Sequence, residues 1–299
     1  MKISSQDKAI RNGLIAATLA FSVWGLYPIF YKQLSAIAPA EVMAHRVVWS
    51  FVFLAVGMLF MPGGSNLRSA LKSGKTAWMV LLAAGFISIN WFVFIYAVAH
   101  DRILEASLGY FLNPVLSSLL GRLFLGERQN RWQSAAVMFA GAGMTITFLV
   151  AGVVPWLSLI MAASFAVYSL VRKQSALDST GGLFLETLVL VPAACLYLWI
   201  IDGQFLGHGP TLAFWLVAAG VLTLVPLLSV VYAARRIELG TLGFFQYIAP
   251  TTHFFIAVGL YQEPVDLARL MAFATTVIAV GLFITGVISN RRSRRNTRR

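Results

Sequence analysis

Apolar runs of about twenty residues follow one another along almost the whole chain, separated by short connectors. A segment that long and apolar on every side can sit in hydrocarbon only as a helix, because each backbone N–H and C=O must find its partner inside the segment. Barrel strands would alternate in segments of ~10 residues, and these runs do not. They cover 13–34, 42–61, 76–98, 104–125, 132–150, 155–171, 183–201, 212–234, 239–261 and 267–288. Only 11% of the residues are charged, against roughly a quarter in a soluble domain. The expected fold is therefore an all-α integral membrane protein of ten transmembrane helices. Lys2, Lys8 and Arg11 precede the first run and Ala36-Ile37-Ala38 follows it, but the run is longer than the 7–15-residue core of a cleaved leader, so it reads as the first span.

Cation placement orients the spans. With both termini on one side, that side receives eighteen of the 23 Lys and Arg, and the opposite side receives Lys32, Arg102 and Arg269. Positive charge marks the cytoplasmic face, so the N- and C-termini are expected to be cytoplasmic. Six of the cations lie in the segment 289–299. This reads as a basic cytoplasmic tail against anionic membrane lipids, not as a nucleic-acid site. Cys195 is the only cysteine, so no intrachain disulfide forms, and its apolar setting suggests a packing role.

The chain carries an internal echo. Leu108-Gly-Tyr-Phe-Leu-Asn-Pro114 has a counterpart 136 residues on, Leu242-Gly-Phe-Phe-Gln-Tyr-Ile-Ala-Pro250, and each proline is followed thirteen residues later by a glutamate, Glu127 or Glu263. Proline costs about 3 kcal/mol inside a soluble helix, so Pro114 and Pro250 read as helix breaks at matching places in a duplicated chain. Five spans per half is an odd number, which sends the second half through the membrane upside down. Residues 13–150 and 155–288 are thus expected to form two inverted five-helix repeats around a central cavity. Interrupted helices in such repeats mark the binding sites of secondary transporters.

Polar side chains near the breaks supply the candidate solute contacts. Tyr110 and Asn113 share a helical face, and Gln246 and His253 occupy the matching face of the second half. Polar groups and the carbonyl freed by Pro114 need partners in hydrocarbon, and a water-filled cavity with a solute provides them; bonding between helices is the alternative use. Asn90 and Trp91 lie in the neighbouring span. Trp24 and Tyr27, beside Pro28, and Tyr168 in the sixth span are aromatic candidates for the same wall. Arg46, inside the second span, would draw an anionic or dipolar group, unless it snorkels to the headgroups or pairs with Glu41 or Glu105. His253 is a candidate for proton coupling. Glu127 and Glu263 read as helix-end charges at the interfaces, and Arg122 as snorkelling or paired with Glu127. The stripes Ala136, Ala140, Gly141, Gly143 and Thr275, Thr276, Ala279, Gly281 read as packing surfaces.

No metal-ligand spacing, nucleophile–base pair or phosphate loop is present; Gly63-Gly64 lacks the following Lys and Ser or Thr of a nucleotide loop. No cofactor and no enzymatic activity are expected. The residues favour a secondary carrier of a small amphipathic solute over a membrane scaffold or accessory protein, and leave the coupling ion and the choice of monomer or homodimer open.

Ala44-His-Arg-Val-Val-Trp-Ser50, Asn90-Trp91, Leu104-Glu-Ala-Ser-Leu-Gly-Tyr-Phe-Leu-Asn-Pro114, Leu123-Phe-Leu-Gly-Glu-Arg128, Val171-Arg-Lys173 and Thr241-Leu-Gly-Phe-Phe-Gln-Tyr-Ile-Ala-Pro250 together resemble the EamA family of the drug/metabolite transporter superfamily, and within it the RarD branch. The likeness runs from about 13 to 288. It implies two five-helix EamA repeats in a bacterial inner (plasma) membrane, and alternating access without ATP. It also implies a permease that exports amino acids, metabolites or drugs such as chloramphenicol, the compound by which that branch is commonly labelled.

Overall fold

The computed structural model describes residues 5–60, 73–126, 130–151, 154–175, 177, 179–201, 205, 207, 209–234, 236–237 and 245–296. Glu127, the Gly63-Gly64 turn, His208 and residues 242–244 of the second proline motif lie outside these. Among the described residues every regular element is helical. They are α1 (Ser5–Gly25), α2 (Tyr27–Lys32), α3 (Pro39–Leu59), α4 (Gly74–Ala99), α5 (Ile103–Leu125), α6 (Arg131–Ala151), α7 (Trp156–Gln174), α8 (Ser179–Ile200), α9 (Pro210–Ala234), α10 (Ile248–Phe255), which runs on into a π-helical turn (Ile256–Leu260), and α11 (Leu267–Asn296). Taken with their continuations, α1–α2 and α10 with its π turn each make one unit, giving ten helical units among the described residues.

Seven of these are long and apolar enough to cross a membrane. Ile248–Leu260 is apolar but short, below the ~20 residues that span ~30 Å of hydrocarbon. The α7 helix ends on Arg172 and Lys173, which dilute its apolar character. The α11 helix continues to Asn296, so the segment expected as a tail begins as a helical extension of the last span.

The two prolines behave differently. Pro114 lies inside a continuous helix, so it is not a break: the missing N–H leaves one carbonyl without its helical partner while the turns on either side hold. Pro250 lies in the first turn of α10, directly after the turn residues Gln246 and Tyr247. An N–H would have no intrahelical partner there, so the interruption expected at this proline is present. The first span also breaks, at Leu26, ahead of Pro28. Pro192 and Pro226 sit inside α8 and α9 without ending them.

Helix pairings come in sets related by exchange of halves. Exchange turns the α4–α7 contact into α9–α1, α5–α7 into α10–α1 and α3–α9 into α8–α4, while α3–α8, α5–α10 and α6–α11 map onto themselves. The three self-mapped pairs are antiparallel. Phe51 stacks on Phe184 at 5.4 Å while Ala44 and Val47 meet Ala194. Ser107 donates to the Pro250 carbonyl at 2.7 Å while Phe111 stacks on Tyr247 at 6.2 Å. Gly143 meets Thr275 while Asn130 donates to the Gly286 carbonyl at 2.7 Å. Small residues set the closest approaches: a Cβ on Gly220 would lie 2.6 Å from the Trp49 backbone, and one on Gly109 would lie 2.9 Å from the Ser158 carbonyl. Of the stripes expected to pack, Ala136, Ala140, Thr276 and Ala279 are buried, whereas Gly141 and Gly281 face open space. Cys195 is exposed on the outer face of α8, not packed inside.

Lys32, Arg102 and Arg269 gather at one end of the bundle. Lys32 pairs with Asp101, Arg102 holds both Glu105 oxygens at 2.8 Å, and Arg269 lies 3.9 Å from Glu105. At the same end Glu263 is not a solvated helix-end charge. It is 5% exposed and accepts the Ile103 and Leu104 N–H groups at 2.7 and 2.9 Å, capping α5 from a connector of the other half. Arg122 donates to Ser134 on α6 at 3.4 Å.

Candidate functional site

Between the halves lies a cavity of about 250 Å³, just below the ~300–1,000 Å³ of most small-molecule pockets. Its wall includes all ten residues singled out in the sequence: Trp24 and Tyr27 at the α1–α2 break, Arg46 on α3, Asn90 and Trp91 on α4, Tyr110 and Asn113 on α5, Tyr168 on α7, Gln246 in the turn before α10 and His253 in its last turn. Pro250 and Ala249 line it as well; Pro114 does not. Helix breaks at Leu26 and before Ile248 place the α1 and α10 residues there, while helical spacing of three carries Tyr110 and Asn113 onto one face.

Arg46 is 3% exposed and has no carboxylate within ion-pairing distance among the described residues. Pairing with Glu41 or Glu105, and snorkelling to headgroups, are both overturned: helix α3 buries the side chain at the cavity. Its Nε donates to Thr223 Oγ1 at 3.1 Å, and its guanidinium lies 4.1 Å from the Trp91 ring centre, with Tyr27 and Tyr31 at 5.9 and 5.7 Å. A guanidinium over an aromatic face gains up to about 2 kcal/mol when desolvated, so ring quadrupoles hold this charge where a counter-ion would otherwise stand.

The neutral polar groups divide into committed and uncommitted ends. Asn90 Nδ2 donates to the Met161 carbonyl at 2.9 Å and to Ser164 Oγ at 3.2 Å, so that end ties α4 to α7. Tyr27 donates to the Leu222 carbonyl at 2.6 Å. His253 Nε2 lies 2.9 Å from the Trp24 carbonyl; a carbonyl only accepts, so Nε2 carries the hydrogen and Nδ1 is left as an acceptor. Neither His253 Nδ1 nor Asn113 Oδ1 has a hydrogen-bond partner among the described residues, though both are buried. Buried polar atoms are nearly always paired, so two orphan acceptors in one cavity mark where a donor from outside the chain would fit. The His253 ring sits between Phe94 at 5.4 Å and Tyr110 at 5.6 Å.

The sequence reading missed Thr223, Phe94, Phe21, Phe165 and Leu183, which also line the wall; apolar side chains in a span carry no mark separating cavity from lipid. It also missed Glu186, a lone acid inside a span, which was a readable signal. Among the described residues no group of His, Cys, Asp and Glu could hold a metal.

Comparison with known proteins gives one family and a set of full-length relatives. The model of the EamA-like transporter family matches residues 11–149. Protein RarD of Escherichia coli (strain K12) is 39% identical over 95% of this chain and 98% of its own length. An uncharacterized transporter of Vibrio cholerae is 38% identical over 99% of both, and the chloramphenicol-sensitive protein RarD of Pseudomonas aeruginosa is 30% identical over 100% and 99%. A solved crystal structure at 18% identity superposes with a TM-score of 0.60 over 91% of this chain and 96% of that one, a likeness of fold alone.

Proposed function

The chain belongs to the EamA-like transporter family, and from that premise we propose that it is a secondary carrier, working without ATP, of a small amphipathic solute. The observation that carries this reading is the cavity between the halves, with two uncommitted acceptors and an aromatic-held cation in a mostly apolar wall. A scaffold would use its polar groups up in helix pairing; Asn90 Nδ2 and His253 Nε2 are used that way, but Asn113 Oδ1 and His253 Nδ1 are not.

The bundle is read as two inverted repeats, 13–150 and 155–288, rocking about the cavity to open it alternately to either side of a bacterial inner membrane. Exchange-related pairings and the antiparallel run of α5 against α10 support this. The termini are read as cytoplasmic from the cation count, and the carrier as an exporter by family likeness. Arg46 faces a wall without carboxylates, so the best solute pairs an aromatic or aliphatic body with a carboxylate and a hydrogen-bond donor.

Flux into proteoliposomes tests the proposal with three probes of similar body: indoleacetate as anion, phenylalanine as zwitterion and chloramphenicol as neutral amide. Saturable uptake in that order of preference is expected, with Arg46→Met losing the preference for the charged probes. No flux of any probe above protein-free vesicles would overturn it.

A further inference from the structure

Glu186 is the one charged residue of α8 and is 1% exposed. An acid at the centre of a span costs ~2.5–3.5 kcal/mol on insertion scales and is found paired and facing the interior. Among the described residues Glu186 has two partners, both on α7. Arg172 Nη1 lies 3.4 Å from Oε1, and the Tyr168 hydroxyl donates to Oε2 at 3.2 Å. Residues 168 and 172 are one turn apart on one face, so α7 presents a hydroxyl and a guanidinium together. The guanidinium packs over Gly182, where any Cβ would collide with it; the missing side chain is what admits Arg172 to the pair. Tyr168 and Leu183 line the cavity, and Leu183 lies one turn before Glu186. The carboxylate thus stands behind the cavity wall, with one hydroxyl between.

The helices packed on α8 are α3 and α4, and α7 reaches it through the Tyr168 and Arg172 side chains. Towards this level α4 brings Asn90 and Trp91, which are uncharged. The titratable groups of α3 are Glu41, His45 and Arg46, on the part of that helix that packs near Ala194, while Phe51 marks the level of Phe184. Arg172 and Tyr168 are therefore the charged and titratable groups in contact with Glu186 among the described residues.

We propose that Glu186 is a proton-binding site, and that Tyr168 transmits its protonation state to the cavity. Ionised, Glu186 accepts the Tyr168 hydrogen and holds Arg172. On taking one proton from water the neutral acid donates its O–H to Tyr168 Oη. The tyrosine hydrogen is then free to turn into the cavity as a donor, and the ion pair between Arg172 and Glu186 is broken. Release of the proton to water reverses each change, and no electron moves. The cavity offers a solute one donor more in the protonated state, which supplies the differential interaction that any coupling requires.

The coupling rests on the carrier reading, but the proton site does not, and the experiment separates them. Infrared difference spectra of the purified protein in lipid, between acid and alkaline pH, are expected to contain a carboxylic-acid carbonyl band. Glu186→Gln should remove that band, Tyr168→Phe should shift it to higher frequency, and His253→Gln should leave it in place. A Glu186→Gln spectrum superposable on the wild type would overturn the proton site. In proteoliposomes, whichever of indoleacetate, phenylalanine or chloramphenicol the wild type moves should accumulate about tenfold per pH unit for one proton per solute. Glu186→Gln should lose that accumulation and Glu186→Asp regain part of it. Accumulation by the Gln variant equal to wild type would overturn the coupling; a present band with no flux of any probe would sink the carrier reading alone.

Discussion

Replacing Glu263 by alanine isolates a bond between the halves. The carboxylate accepts two adjacent N–H groups at the start of α5, at 2.7 and 2.9 Å, in a setting 5% exposed. A helix cap lost to alanine costs about 0.5–2 kcal/mol. Leaving a buried donor unpaired costs about 1–3 kcal/mol. Two donors are orphaned here, but truncation opens space through which water reaches one of them, so the expected loss is about 2–4 kcal/mol. Glu263→Gln retains one carbonyl oxygen for the pair and should lose less than half as much. Equilibrium unfolding by SDS titration in mixed micelles reads the difference directly. An alanine variant within about 0.5 kcal/mol of wild type, or a glutamine variant falling as far as alanine, would refute the argument that this contact holds α5 to the opposite half.

The same carboxyl predicts a pH effect: burial raises it above its ordinary value of 4.5, while the two backbone N–H groups and Arg269 pull it back down. A raised folded value means the fold holds the proton more tightly than the unfolded chain does. The stabilisation is then full below pH 4.5 and is lost as pH rises through the raised value, so the gap between wild type and Glu263→Gln should narrow over that window in the same titration. Gly220→Ala should destabilise by about 1–3 kcal/mol, because its Cβ would lie 2.6 Å from the Trp49 backbone; unchanged stability would mean α3 and α9 can separate freely. Pro114→Ala restores an N–H inside a continuous helix and should be neutral or stabilising on thermal unfolding, the reverse of what a required break would give. Arg46→Lys should raise the KM for the anionic probe more than it lowers the maximal rate, since lysine keeps the charge but loses the planar stack on Trp91.

The sequence is most legible where one helix period or one repeat offset carries the information. Tyr110 and Asn113 share a turn, Gln246 and His253 follow by register, and all four stand at the cavity. What it hides is what depends on distant chain. Arg46 finds Thr223 across 177 positions, Glu263 finds Ile103 across 160, and no local pattern distinguishes a cap from a solvated charge. Glu186 itself was legible as a lone acid in a span; only its partners, on another helix, were hidden. Pro114 misled because proline stops a soluble helix more readily than one held by neighbouring helices; α5 bends its rule without ending.

The self-mapped pairs α3–α8, α5–α10 and α6–α11 have a consequence for direction. With the halves read as the inverted repeats proposed above, each such contact joins a part to its own reversed copy and has two equivalent ways to part, one at either end. Loosening it towards the outside and loosening it towards the inside then differ only by the sequence divergence of the two copies. On the proposed carrier reading the bundle is a balanced lever with little preferred tilt, and the outward movement proposed for it is set by the gradient that loads it.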